Sequence, residues 1–401
     1  MGRCNGQENR RLHGYGPATL LAIAVALGAP AAGAQQILEI DTAVGRVILD
    51  DEWRAIRTIG DMPLDRARTL LYANDDEEPE GVMVFSLETG EWIRTIPTPT
   101  GGGPRELERG MSGMALGRDG RLYVSGYVRV LEFDPLGQYV SNWRPRAEMI
   151  VDVCEFDGQP TIPAYGGVIR RGSDGTDESV GPGVVDGNAI FGSTARDALW
   201  ATGIDRSRGG TQSSFVSPPR IACADDVAYV VTSYSEGPDS VTVYHRNGEM
   251  AKLAVPTEFT DQTRVCEMRA GGETVRVPCN NWTRSLAPTL DGRGNLVLLG
   301  RDSDTPGAII EPETGCYAVL RKPEPSQDYN ALHIYQDSAL VFHYAIWEED
   351  LPPEIARRLP AGVRPVSTHR STAANRISLH PLRRVSGEPC PGMLPAVEDV
   401  G

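Results

Sequence analysis

Lysine is almost missing from this chain. Lys252 and Lys322 are the two in 401 residues, and arginine supplies the rest of the 39 basic side chains against 54 acidic ones. The formal net charge is −15, so there is no basic footprint for nucleic-acid phosphates and no electrostatic attraction to anionic lipid. No pair of cysteines has C-x-x-C spacing, which removes the usual signal for zinc or thioredoxin-like redox chemistry. His245, His333, His343, His369 and His380 form no H-x-H or H-E-x-x-H pattern; His333 and His343 lie in adjacent predicted strands. The run Gly101-Gly102-Gly103-Pro104 is not followed by Gly-Lys-Ser/Thr, so it reads as a turn and not as a phosphate cradle. Gly110–Met114 (GMSGM) lacks the G-x-S-x-G spacing of a nucleophile elbow. The acidic stretch Asn74–Glu78 lacks the D-x-D-x-D-G order of a calcium loop and reads as solvated, as does Arg301–Gly307. No segment beyond residue 34 is long and apolar enough to cross a bilayer.

What is present begins with an export pattern. Arg3, Arg10 and Arg11 precede the apolar run Leu20–Leu27, and Ala32-Gly33-Ala34 follows as a small-residue cleavage site. The expected domains are a signal peptide over 1–34, a folded domain over 35–385 and an irregular tail over 386–401. Removing residues 1–34 takes away three arginines and Glu8, so the formal charge becomes −17. Six cysteines then remain, an even number that suggests disulfides in an exported chain. Cys266 and Cys279 flank Gly271-Gly272 and suit a stapled hairpin. By elimination Cys154–Cys223 and Cys316–Cys390 come next, although six cysteines allow about fifteen pairings and free buried thiols are the alternative.

The chain also repeats. In residues 117–143, GRDGRLYVSGYVRVLEFDPLGQYVSNW, three strands alternate with turns at Asp119-Gly120 and Gly137. Residues 68–96 carry the same order, with Tyr72, Phe85, Gly90 and Trp92 in register. Two more copies follow, one with Tyr229, Tyr244 and Gly248, the other with Leu298, Ile310 and Gly315. The gap between Gly137 and Gly248 leaves room for a divergent copy, which residues 150–172 and 197–204 (DALWATGI) can fill. A last copy spans LHIYQDSALVFHYAI and NRISLHPLRRV. Units of four short strands cannot shield both faces alone, and packing them radially solves this. The expectation is an all-β, six-bladed β-propeller of four-stranded antiparallel blades. One of the two upstream strands, QILEID or GRVILD, closes the ring, and a short surface helix sits at Pro352–Leu359.

Residues 101–143 resemble the NHL-type repeat of bacterial six-bladed propellers. Gly101, Gly103, Pro104, Glu106, Leu107, Asp119, Gly120, Tyr123, Val124, Phe133, Asp134 and Gly137 match its pattern. The resemblance implies the fold; in that family the glutamate at the position of Glu106 helps tie adjacent repeats. Activity does not follow, because such propellers are functionally mixed. The leading functional expectation is a periplasmic or secreted, monomeric module that binds a protein, glycan or small-molecule ligand through rim loops. The alternative is a lactonase-like metal-dependent hydrolase with a divalent cation, such as calcium, in the central channel; no cofactor is indicated by a motif. Exposed aromatics could serve recognition, with Trp53, Trp92, Trp143, Trp200, Trp282 and Trp347 as candidates, most of them expected to pack between blades.

Overall fold

The computed structural model describes residues 36–50, 56–57, 62–75, 81–147, 150–164, 167–181, 219–231, 240–255, 263–270, 273–280, 287–299, 307–321, 329–335, 337–350, 366–388 and 390. The expected signal peptide, the strand over 197–204, the helix over 352–359 and the end of the tail lie outside them.

The described residues are all-β. Three strands come before the repeats: β1 (Gln36–Ile40), β2 (Arg46–Asp50) and β3 (Ile56–Arg57). A first sheet follows, made of β4 (Leu64–Asp65), β5 (Leu70–Asp75), β6 (Gly81–Ser86) and β7 (Trp92–Pro97), antiparallel in chain order. The second holds β8 (Met111–Leu116), β9 (Leu122–Gly126), β10 (Val130–Phe133) and β11 (Tyr139–Trp143). The third holds β12 (Cys154–Phe156), β13 (Gln159–Ala164), β14 (Gly167–Arg171) and β15 (Asp177–Val180). Its fourth strand therefore comes from Asp177–Val180, earlier than the expected residues 197–204. The fourth sheet holds β16 (Arg220–Cys223), β17 (Val227–Val231), β18 (Ser240–His245) and β19 (Met250–Ala254). A hairpin of β20 (Thr263–Ala270) and β21 (Glu273–Asn280) comes next. The fifth sheet holds β22 (Ala287–Leu290), β23 (Leu296–Leu299), β24 (Gly307–Ile310) and β25 (Tyr317–Arg321). The last strands are β26 (Tyr329–Tyr335), β27 (Ser338–Asp350) and β28 (Val366–Ser386).

The N-terminal strands join this last group. Strand β2, from the expected GRVILD, pairs with β28 (Arg46 opposite Leu379), which makes a four-stranded closing sheet β26-β27-β28-β2. Strand β1 lies between β25, in parallel, and β28, antiparallel, so it ties the fifth sheet to the closing one. Strand β3 pairs with both β28 and β5.

Alternation along each strand explains the packing, since successive side chains point to opposite faces. In β9, Leu122 and Val124 join Tyr72, Val82 and Ile96 of the first sheet, while Tyr123 joins Ile162 and Ile169 of the third. In β17, Ala228 and Val230 meet Phe156 of the third sheet, and Tyr229 and Val231 meet Leu298 of the fifth. In β27, Ala339 and Val341 face Ile309 of the fifth sheet. Leu340 and Phe342 face Leu71, Met83 and Phe85 of the first. Each sheet is thus buried on both faces between its neighbours, and the series returns from the closing sheet to the first. A two-layer sandwich gives each sheet one buried face; this arrangement is a β-propeller.

Candidate binding face and axial cleft

Antiparallel pairing sends the first-to-second and third-to-fourth strand turns of the first five sheets to one end of the molecule, and the β26–β27 turn of the closing sheet to the same end. These turns are tight. Gly120 N–H donates to Gly117 O at 2.9 Å, and Gly137 N–H donates to Asp134 O at 2.8 Å. Asp134 Oδ1 also accepts from the N–H groups of Leu136 and Gln138 at 2.9 and 2.7 Å. Gly90, Gly137, Gly248 and Gly315 all have positive φ, which is why glycine marks each copy of the repeat. The other strand ends lead into the long connections, of which residues 98–110 are described throughout.

The turn end encloses an axial cleft of about 360 Å³, lined by Asp65, Arg66, Arg68, Arg118, Glu155 and Asp225 among others. Its charges brace one sheet against another. Glu155 accepts from Arg118 N–H and from the Tyr123 hydroxyl, both at 3.1 Å, joining the second and third sheets. Arg118 also pairs with Asp225 of the fourth sheet. Asp157 N–H donates to Asp225 O at 3.0 Å, and Arg246 reaches Asp157 at 2.8 Å. Arg66 donates to Ile334 O at 2.9 Å and to Leu290 O at 3.5 Å, joining the first sheet to the closing and fifth ones. The disulfide Cys154–Cys223 fastens the inner strands β12 and β16 at the cleft wall. Burial, then the charge of Glu155, pushes the Tyr123 phenol well above its usual range, so this hydroxyl stays a donor.

The connection end of the second sheet is built around arginine. Glu108 Oε1 accepts from buried Arg129 at 2.8 Å and pairs with exposed Arg144, while Arg129 also donates to Gly103 O. Arg105 stands over the Tyr139 ring at 4.8 Å. Glu106 turns back to accept from Gly103 N–H at 2.6 Å. The bond lies within the connection that joins the first sheet to the second. Between the second, third and fourth sheets lies Asp152, fully buried. It accepts from Val153 N–H at 2.9 Å and Ile221 N–H at 3.1 Å. Burial pushes its carboxyl up, against the opposing pull of Arg220.

The predicted residues scatter. Cys154–Cys223 and Cys316–Cys390 are bonded. In the hairpin Cys266 stands opposite Val277 and Cys279 opposite Arg264. His333 is opposite Leu340 and His343 opposite Tyr329, so the two do not form a cross-strand pair. The His333 imidazole is pushed down to about 4 by burial, then by Arg66, and its Nε2 accepts from Met62 N–H at 3.4 Å. Among the described residues, no group of three or more His, Cys, Asp or Glu is placed to hold a metal ion. Trp143 packs between sheets and donates to Asp177 at 2.8 Å. Trp92 is exposed, contrary to the expected packing. Trp53, Trp200 and Trp282 lie outside the described residues. Sequence reasoning missed the cleft, whose parts come from three separate turns and from strand β12. It also missed the pair Ser378 Oγ and His380 Nε2 at 2.8 Å, although their i, i+2 spacing puts them on one face of β28.

No family model and no curated protein matches the chain. Among solved structures, the WD40 repeats of RRP9 align over 87% of this chain and 100% of theirs, with 10% identity and TM-score 0.43. A gluconolactonase from Xanthomonas campestris aligns over 87% and 97%, with 13% identity and TM-score 0.43. Regucalcin, a calcium-binding protein from Agrobacterium tumefaciens, aligns over 85% and 96%, with 11% identity and TM-score 0.41. These likenesses are too distant to assign a ligand or an activity.

Proposed function

We propose that this chain is an exported, six-bladed propeller of the NHL-repeat type that works as a binding module, taking a protein or small-molecule ligand at its connection end. The division between the two ends carries this reading. Tight turns and inter-sheet ion pairs make one end a rigid frame, and the strand ends at the other lead into connections of unequal length, the usual home of recognition on a rigid scaffold. The series of apolar clusters running once round from the first sheet to the closing one supports the reading of six blades. Export, with residues 1–34 removed, fits the two long-range disulfides, which persist in oxidising compartments. Cys266 and Cys279 complete the set as a third bridge across the hairpin.

The test uses residues 35–401 purified from an exporting host. Cross-linked capture is compared between this protein and a variant in which residues 185–215 are replaced by a short Gly/Ser linker, with circular dichroism as the folding control. Metal content and lactone hydrolysis, with and without chelator, are measured on the same preparation. A partner held by the parent and lost by the folded variant supports binding at this end. A stoichiometric divalent ion with chelator-sensitive lactone turnover overturns the reading in favour of a hydrolase.

A further inference from the structure

Among the described residues, the exposed large hydrophobic side chains gather near the turns of the outer strands. Six belong to the closing, first and second sheets: Val44, Val47, Trp92, Ile93, Leu136 and Val140. Each lies within three residues of a turn glycine, Gly45, Gly90 or Gly137, and Leu136 is 71% exposed.

The three sheets are seated on one another at this level. A Cβ at Gly90 would fall 1.8 Å from Ile48 O of β2, and Arg46 donates to Glu88 O at 2.9 Å and Leu87 O at 2.8 Å. A Cβ at Gly137 would fall 2.8 Å from Ile96 Cγ1 of β7, and Arg94 donates to Pro135 O at 2.9 Å. The six side chains therefore form one belt along the outer wall at the turn end.

Half-exposed side chains of these sizes present on the order of 500 Å² of apolar surface, the upper range for a patch on a monomer. A standard interface buries about 800 Å² per partner, of which roughly 60% is apolar. The belt thus supplies the apolar share of one such interface. Charge points to the occupant. At −17 once residues 1–34 are removed, two copies repel over most of their surface. The belt's strands carry Arg46 and Arg94, and the turns beside them carry Glu88, Glu91 and Asp134. A two-fold contact sets the same surface against itself and needs both signs within it.

We propose that this belt docks a second copy of the chain, so that the protein is a two-fold dimer joined through the outer wall of the closing, first and second sheets. The contact is at the turn end and leaves the connection end of each copy free. This proposal departs from the expectation of a monomer and rests on the apolar belt, which sequence alone does not assemble.

Sedimentation equilibrium on residues 35–401 tests this at low micromolar concentration, beside Trp92→Ala and Ile93→Glu. The expected result is a dimer in the parent. Trp92→Ala raises its Kd by about 30-fold or more, and Ile93→Glu sediments as a monomer with unchanged circular dichroism. Met250→Glu, on the fourth sheet, leaves the dimer intact. A parent that sediments as a monomer overturns the proposal, even if it binds another protein through the belt. A dimer indifferent to both belt substitutions overturns it too.

Discussion

Phe342→Ala is the perturbation that probes how the ring closes. Phe342 is fully buried in β27, in a cluster with Leu71, Met83 and Phe85 of the first sheet and Ile377 of β28. Its ring also meets the His333 ring edge-on at 6.1 Å and 77°. Truncating such a side chain costs about 3–5 kcal/mol through lost transfer energy and the cavity left behind. The edge-to-face pair adds about 0.5–1.5 kcal/mol. Against a total stability of about 5–15 kcal/mol, this is roughly a quarter or more of what holds the fold. Urea unfolding should show a lower midpoint with an unchanged slope. The location is tested by coupling. Leu71→Ala lies in the same cluster, so the double variant departs from additivity by about 0.5 kcal/mol or more. Val168→Ala lies in the cluster between the third and fourth sheets, so its effect adds to within about 0.3–0.5 kcal/mol. A loss below about 1 kcal/mol, or additivity with Leu71, refutes the packing of the closing sheet on the first.

His333 sets a pH dependence. Its folded value of about 4 lies below the unfolded one, so it stabilises fully above about pH 6.5 and loses that contribution as pH falls towards 4. The loss is about 3 kcal/mol, and His333→Leu flattens this part of a stability–pH profile. Glycine turns should separate by surroundings. Gly248→Ala meets nothing within 4 Å and pays the positive-φ penalty alone, about 1 kcal/mol. Gly90→Ala adds a clash with Ile48 O and should lower the melting temperature several-fold more, a ranking that calorimetry checks. Non-reducing peptide mapping should recover Cys154–Cys223 and Cys316–Cys390. They close loops of 69 and 74 residues, so removing either lowers stability by about 4 kcal/mol.

The repeat was legible wherever a turn demanded positive φ, because Gly90, Gly137, Gly248 and Gly315 are fixed by backbone sterics and not by packing. The third sheet was harder. Its fourth strand, Asp177–Val180, is polar and half exposed, so no alternation distinguished it from a loop, and a more apolar stretch downstream drew the assignment. That an upstream strand closes the ring was legible, but the sequence did not choose between QILEID and GRVILD, because both are short apolar strands and only the packed sheets assign GRVILD to the closing sheet and QILEID to the seam beside it. The cleft was hidden for a different reason. Glu155, Arg118 and Asp225 meet only after three sheets pack, and nothing local in the chain records that meeting.

Amide hydrogen exchange of β1 tests the closed ring most directly. N-terminal segments exchange fast by fraying unless they are tied down. Held between β25 and β28, the amides of Leu38 and Ile40 should exchange only through global unfolding, with the same free energy as those of β9 and β17. Exchange at the rate of a free chain end would contradict the closure on which the propeller depends.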